Sequence, residues 1–168
     1  MDDTLTIRPA TAVDDDAIWA ILEPTFRAGE TYPIPQDIGR ADALAYWRSP
    51  GHNVFVAQEN DKDAGRIVGT YYLRANQRGG GDHVCNCGYM VAASATGRGV
   101  ARAMCAHSLD AARERGFAAM QFNFVVASNQ RAVRLWQACG FAIVGHLPRA
   151  FRHPELGLVD ALVMVRGL

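Results

Sequence analysis

A chain of 168 residues that is 49% apolar, 20% charged and 9% aromatic suits one domain with one hydrophobic core, and it is far too apolar to be disordered. Its 17 basic and 17 acidic side chains cancel, which excludes a broad electrostatic grip on nucleic acid or on an anionic membrane. No apolar run approaches the roughly 20 residues of a membrane span, and the acidic start Met1-Asp2-Asp3-Thr4 is unlike a secretory signal, so a cytoplasmic protein is expected.

In chain order, Leu5-Thr6-Ile7-Arg8 alternates before Pro9 and predicts a first strand. Thr11 or Asp14 caps a helix that runs through Leu22, with an acidic first turn suited to the helix dipole and Pro24 disturbing its end. Residues 28–35, broken by Gly29, Pro33 and Pro35, make an irregular loop. A second helix over Ala41 to Trp47 stops at Ser49-Pro50-Gly51. Strands follow at Asn53–Gln58 and Arg66–Arg74, joined by the polar turn at residues 60–65, and after Gly79-Gly80-Gly81 a third strand covers His83–Ala92.

Helical spacing then appears from Arg98 to Arg115, with Val100, Ala101, Met104, Cys105, Ser108, Leu109 and Ala112 on one face and Gly116 as the stop. A strand at Ala119–Val126, a helix at Ser128–Ala138 ended by Gly140, and strands at Phe141–Val144 and Leu158–Val165 complete a mixed α/β order. The final hairpin offers an exposed edge, so a homodimer is a compatible assembly. Of the four cysteines, Cys85 and Cys87 fall two apart on one strand face, where small buried side chains pack. Without a second ligand pair they form no zinc site, and no metal is expected.

The informative stretch joins Gly88-Tyr89-Met90-Val91 to Thr96-Gly97-Arg98-Gly99-Val100-Ala101. A strand ends, a small-residue loop follows, and a helix begins with glycines in its first turn. Glycine permits close approach and left-handed torsions, and a helix start offers unpaired N–H groups and a positive dipole end to a phosphate or diphosphate. A glycine-rich cap without a ligand has the same local pattern. No Gly-Lys-Ser/Thr follows, and Arg102 occupies the third glycine position of a dinucleotide fingerprint, so neither familiar nucleotide loop is present.

With these residues the sequence resembles the GNAT superfamily of acetyl-CoA-dependent N-acetyltransferases. That superfamily's diphosphate motif, Gln/Arg-x-x-Gly-x-Gly/Ala, is met at Gly99 and Ala101, with Thr96 departing from the usual Gln or Arg. A second match is Asn129-x-x-Ala132-x-x-Leu135-Trp136-x-x-x-Gly140-Phe141, and the order of elements agrees over nearly the whole chain. The resemblance implies an α/β (α+β) fold, with a mostly antiparallel central sheet of about seven strands flanked by about four helices. It implies acetyl-CoA as co-substrate and an amine acceptor. Met90 and Val91 would meet the pantetheine arm, and the loop Thr96, Gly97, Arg98, Gly99, Val100 and Ala101 the diphosphate. Asn129 would bond the cofactor near the arm, although Asn129 is also a good helix cap. Arg102, Arg131 and Arg134 are further candidates for its phosphates.

Trp136 stands where many relatives carry a tyrosine that protonates the leaving thiolate; indole N–H is no usable acid, so Trp136 is expected to pack and shape the cleft. Transfer to an amine also needs a proton acceptor. Glu30, in the loop where relatives bind acceptor, is one candidate; Asp82, His83, His146 and His153 are others, and water is another route. Asn86 and Asn123 are unusual in strands flanking the proposed cleft, so either would bind the acceptor, polarise the acetyl carbonyl, or bond neighbouring backbone. The tail hairpin around Leu147–His153 is expected to line the acceptor side. The pattern Phe122-Asn123 … Asn129 … Trp136 … Phe151 resembles the branch acetylating small amino acids and their toxic analogues. A peptide or protein N-terminal acetyltransferase and a catalytically silent acyl-CoA sensor are the alternatives.

Overall fold

The computed structural model describes residues 5–60 and 65–168. The acidic start and most of the turn after Asn60, with Lys62, lie outside the described residues. Seven strands, β1 (Leu5–Pro9), β2 (Asn53–Glu59), β3 (Arg66–Ala75), β4 (Val84–Val91), β5 (Ala119–Val126), β6 (Ala142–His153) and β7 (Gly157–Gly167), form one sheet. Its order is β1-β2-β3-β4-β5-β7-β6, and every neighbouring pair is antiparallel except β4 and β5. The helices are α1 (Asp15–Ala28), α2 (Arg40–Trp47), α3 (Val100–Glu114) and α4 (Gln130–Ala138).

Period-two alternation divides the strands between two cores. Val54, Val56, Tyr72 and Met90 meet Ile18, Leu22 and Phe26 of α1 and Trp47 of α2 on one face. Phe55, Ala57, Tyr71, Cys85, Cys87 and Met120 pack with Met104, Cys105 and Leu109 of α3 on the other. The helical face predicted on α3 is the buried one, apart from half-buried Ala101. Trp47 is fully buried, and its indole N–H donates to Thr70 Oγ1 at 3.0 Å, whose hydroxyl donates on to the Phe55 carbonyl. That relay satisfies polar groups that would otherwise be costly to bury.

Two boundaries depart from the sequence reading. Helix α1 runs past Pro24 to Ala28 and is stopped by Gly29 in a left-handed conformation (φ 66°). Pro24 and Ala20, four residues earlier, are both on the exposed face, so water can meet the carbonyl that Pro24 leaves unbonded. Burial of Phe26 then favours continuing the helix. Strand β6 extends to His153, not Val144, despite Pro148. It is the edge strand, where a missing N–H breaks no sheet ladder, and its register against β7 shifts between Leu147 and Phe151.

The junction of β1 and α1 is set by Asp14, which is 4% exposed. Arg8 donates to both carboxylate oxygens at 2.8 Å and the Thr11 N–H to Oδ2 at 2.8 Å. The Arg8 hydrogen bonds hold the carboxyl at about 2, well below the usual range. A depressed folded pKa stabilises above the unfolded value of about 3.9 and is lost as pH falls toward the folded one. Asp14→Asn should therefore cost about 1–2 kcal/mol at pH 7, given Arg8's partly exposed side, and the difference should vanish as pH falls from 4 to 2. Urea unfolding of both proteins across that range checks it; a gap independent of pH would contradict it.

Candidate active site

The site begins where the sheet opens. Strands β4 and β5 pair only at Val84↔Ala119 and Cys85↔Met120, and then part. Just past the last pair, Asn86 Nδ2 donates to the Gln121 carbonyl at 2.9 Å and ties the strands at the vertex. At either end of β4, the Asn76 N–H bonds the Val84 carbonyl and the Ala92 N–H bonds the Val68 carbonyl, both at 2.8 Å. By antiparallel alternation, even-numbered residues of β4 spend their main-chain groups on β3, while Cys87, Tyr89 and Val91 present N–H and C=O to the gap. Val91, one of the two residues expected at the arm, is thus among the gap-facing residues. Met90 is not: its main chain pairs with Thr70 and its side chain joins the α1–α2 core, although it borders the groove. Tyr89 was the missed residue, and counting by twos from Cys85 and Cys87 would have found it.

The other end of the gap is the start of α3. Gly97 and Gly99 have φ of 85° and 83°, torsions that L side chains resist. Among the described residues, the N–H groups of Gly97, Gly99, Val100, Ala101 and Arg102 have no backbone acceptor; that of Arg98 bonds the Ala95 carbonyl, and the helix's own bonds begin with Ala103 to Gly99. Gly97, Gly99, Val100, Ala101 and Arg102 line a recess at the positive end of α3, together with Thr96 and Arg131. The side chain of Arg98 does not join them. It pairs with Glu59 at 2.7 Å, because the residue between two left-handed glycines is turned toward β2. Arg134 is exposed and off this recess.

Two recesses of about 360 Å³ each, one at the α3 loop and one on the α1–α2 side, share Tyr89, Val91, Asn129, Ala132 and Trp136 and so form one groove through the sheet. Trp136 packs 5.0 Å from both the Tyr89 and Phe122 rings, as a wall of the passage. Asn129 caps α4 by accepting the Ala132 N–H at 3.2 Å, while its Nδ2 makes no hydrogen bond among the described residues.

The far recess is lined by Tyr32, Tyr46, Tyr72, Arg74, Asn86, Cys87 and Asn123, among others. Tyr32, on the irregular loop, donates to the gap-facing Tyr89 carbonyl at 3.1 Å. The Tyr72 ring lies over Gly88, where a Cβ would come within 2.6 Å of a ring carbon. Both strand asparagines are partnered: Gln121 donates to Asn123 Oδ1 at 2.9 Å, and Asn123 Nδ2 donates to Asn76 Oδ1 at 2.6 Å. The register of β5 against β7 shifts between Phe122 and Val125, the stretch that holds Asn123. Burial pushes the phenols of Tyr32 and Tyr72 and the thiol of Cys87 well up. Burial, with Arg74 adding, holds His52, stacked 4.2 Å on Tyr72, below the ordinary imidazole range.

The proposed bases fall elsewhere. Glu30, Asp82, His83 and His146 are exposed and off the groove, and His153 Nδ1 accepts the N–H groups of Glu155 and Leu156. The tail hairpin does not line the groove either, since β7 separates β6 from β5. Tyr72 and Arg74 were not among the expected site residues, although their spacing along β3 puts them on one face and Arg74 is the strand's only charged interior residue.

A cleft between parting parallel strands ends at a helix start rich in N–H groups without backbone acceptors, and the chain belongs to the acetyltransferase (GNAT) family, whose model matches residues 16–141. It is an N-acetyltransferase. A GCN5-related N-acetyltransferase from Kribbella flavida is 40% identical, with a TM-score of 0.91 and 98% of both chains covered. The Schizosaccharomyces pombe protein named N-acetyltransferase aca1 is 29% identical over 150 residues, 80% of this chain and 71% of that protein. A phosphinothricin acetyltransferase from Sinorhizobium meliloti, solved in complex with acetyl-CoA, shares the fold at 21% identity, with a TM-score of 0.84 and coverage of 98% of this chain and 89% of that one.

Gly99→Ala should weaken acetyl-CoA binding by about 5–30-fold, since its left-handed torsion costs a side chain about 1–2 kcal/mol in the binding-competent loop. Calorimetric titration checks this; an unchanged Kd would show that the loop does not act through its backbone.

Proposed function

We propose that this enzyme moves the acetyl group of acetyl-CoA directly to the amine of a small molecule such as an amino acid or a toxic analogue of one. The observation that carries the reading is the continuous groove, running from the five N–H groups without a backbone acceptor at the start of α3 to a recess across the sheet that carries polar side chains. The N–H groups of Gly97, Gly99, Val100, Ala101 and Arg102, with Arg102 and Arg131, fit a diphosphate. Tyr89 and Val91 offer an extended amide-bearing arm the main-chain donors and acceptors that β5 would otherwise have used. Bound there, acetyl-CoA supplies an activated acetyl thioester.

Transfer forms an N–C bond and breaks a C–S bond; the amine gives up a proton and the departing sulfur gains one. Cys87 is the thiol bordering the recess, and burial keeps it protonated, so it is a poor relay for the acetyl group and favours a direct reaction. No Asp, Glu, His or Lys is among the residues lining the recess. The ammonium proton therefore passes to water in the open groove, and the side chains act by positioning. Asn123 and the tyrosine hydroxyls hold the acceptor, Asn86 fixes the vertex, and Trp136 walls the sulfur's side without acting as an acid. A recess of about 360 Å³ suits a free amino acid better than a protein terminus.

Thiol release from acetyl-CoA with free amino acids competing against peptides tests this reading directly. Free amino acids should be turned over in preference; preference for peptides, or no release from either, would overturn it. Asn123→Ala should lower kcat/KM for the acceptor at least about 10-fold while moving the KM for acetyl-CoA little. The pH profile of kcat/KM should rise along the acceptor's own amine pKa, because no lining base titrates near neutrality; a second ascending limb near pH 6–7 would contradict it.

A further inference from the structure

Arg74 is the single charged residue among those lining the acceptor recess. It is half-buried, its guanidinium donates to the Ala75 carbonyl at 3.3 Å, and among the described residues no carboxylate pairs with it. Of the other half-buried arginines, Arg8 and Arg48 each meet a carboxylate, Asp14 and Asp15, and Arg166 bonds the Cys139 carbonyl. A partly desolvated cation kept in a recess without an anionic partner is costly unless a ligand supplies the anion.

Its place in the sheet says where that anion would lie. Arg74 is opposite Asn86 across the β3–β4 ladder, and Tyr72 is opposite Gly88, so Arg74, Tyr72 and Asn86 share the recess face. Asn86 directly precedes Cys87, the first residue whose main chain faces the open gap. The charge thus stands at the closed end of the recess, with the gap-facing main chain beside it. A guanidinium fork matches the two oxygens of a planar carboxylate.

Resting on the transferase reading above, we infer that the acceptor is an amine carrying a carboxylate, an α-amino acid, and that Arg74 binds that carboxylate at the vertex and leaves the amine toward the opening of β4. The preference would exclude polyamines and lysine side chains, which bring no anion to the arginine and add a second positive charge.

The test compares L-amino acids with their α-amides and with the corresponding decarboxylated amines, by thiol release from acetyl-CoA, in the native enzyme and in Arg74→Met and Arg74→Lys. The acids should be preferred to their amides, and Arg74→Met should cut the acid-over-amide ratio of kcat/KM by about 10–100-fold, chiefly through KM, with Arg74→Lys in between. The ratio cancels any loss of folding or acetyl-CoA binding common to both substrates. Amides or simple amines used as well as acids, or a ratio unmoved in Arg74→Met, would overturn this inference and leave the transferase reading standing. Absence of thiol release from every compound would overturn both.

Discussion

The structure turns on a hydrogen-bonding deficit. A strand inside a sheet needs neighbours on both sides, yet β4 loses β5 after two residue pairs and keeps only β3. Its odd-numbered main-chain groups are left facing a gap, and the loop and first turn of α3 leave five N–H groups without a backbone acceptor. The two deficits lie end to end, and their sum is a molded outline of a ligand with an anionic middle and an extended amide arm.

The rest of the molecule keeps that gap open. Two cores press on the sheet from opposite faces, one through α1 and α2 and one through α3, and β4 contributes side chains to both. Asn86 stops the strands from parting below the vertex, and Trp136, Tyr89 and Phe122 brace the opening with rings 5.0–5.9 Å apart. Glu59 draws the Arg98 side chain down to β2 and leaves the loop's backbone toward the groove. Tyr32 ties the irregular loop to a gap-facing carbonyl, so the acceptor side and the opening of β4 share one hydrogen bond.

What was legible in the sequence followed from local rules. The glycines at 97 and 99, the helical spacing after them, and the alternation of β2, β3 and β4 are each determined within a few residues. The family resemblance added the cleft flanked by the strands of Asn86 and Asn123, which no local pattern carries. What was not legible depended on neighbours distant in the chain. Pro24 within α1 and Pro148 within β6 are tolerated because one faces water and the other lies on a sheet edge. Glu30 and the loop histidines were reasonable chemical types, but only the tertiary path decides that they miss the groove. Arg98 looked like a phosphate ligand until its partner, Glu59, was visible 39 positions earlier. Arg74 and Tyr72 acquired meaning only when Asn86 and Gly88 were placed opposite them.

Affinity should therefore reside in main-chain groups at the helix start, with the strand adding to it. The direct measurement is calorimetric titration of the purified protein with coenzyme A and, separately, with pantetheine, which has the arm but no diphosphate. Coenzyme A should bind with one-to-one stoichiometry and pantetheine at least about 100-fold more weakly, the difference expected for several charge-assisted bonds. Equal affinity for the two, or no heat with coenzyme A, would contradict it.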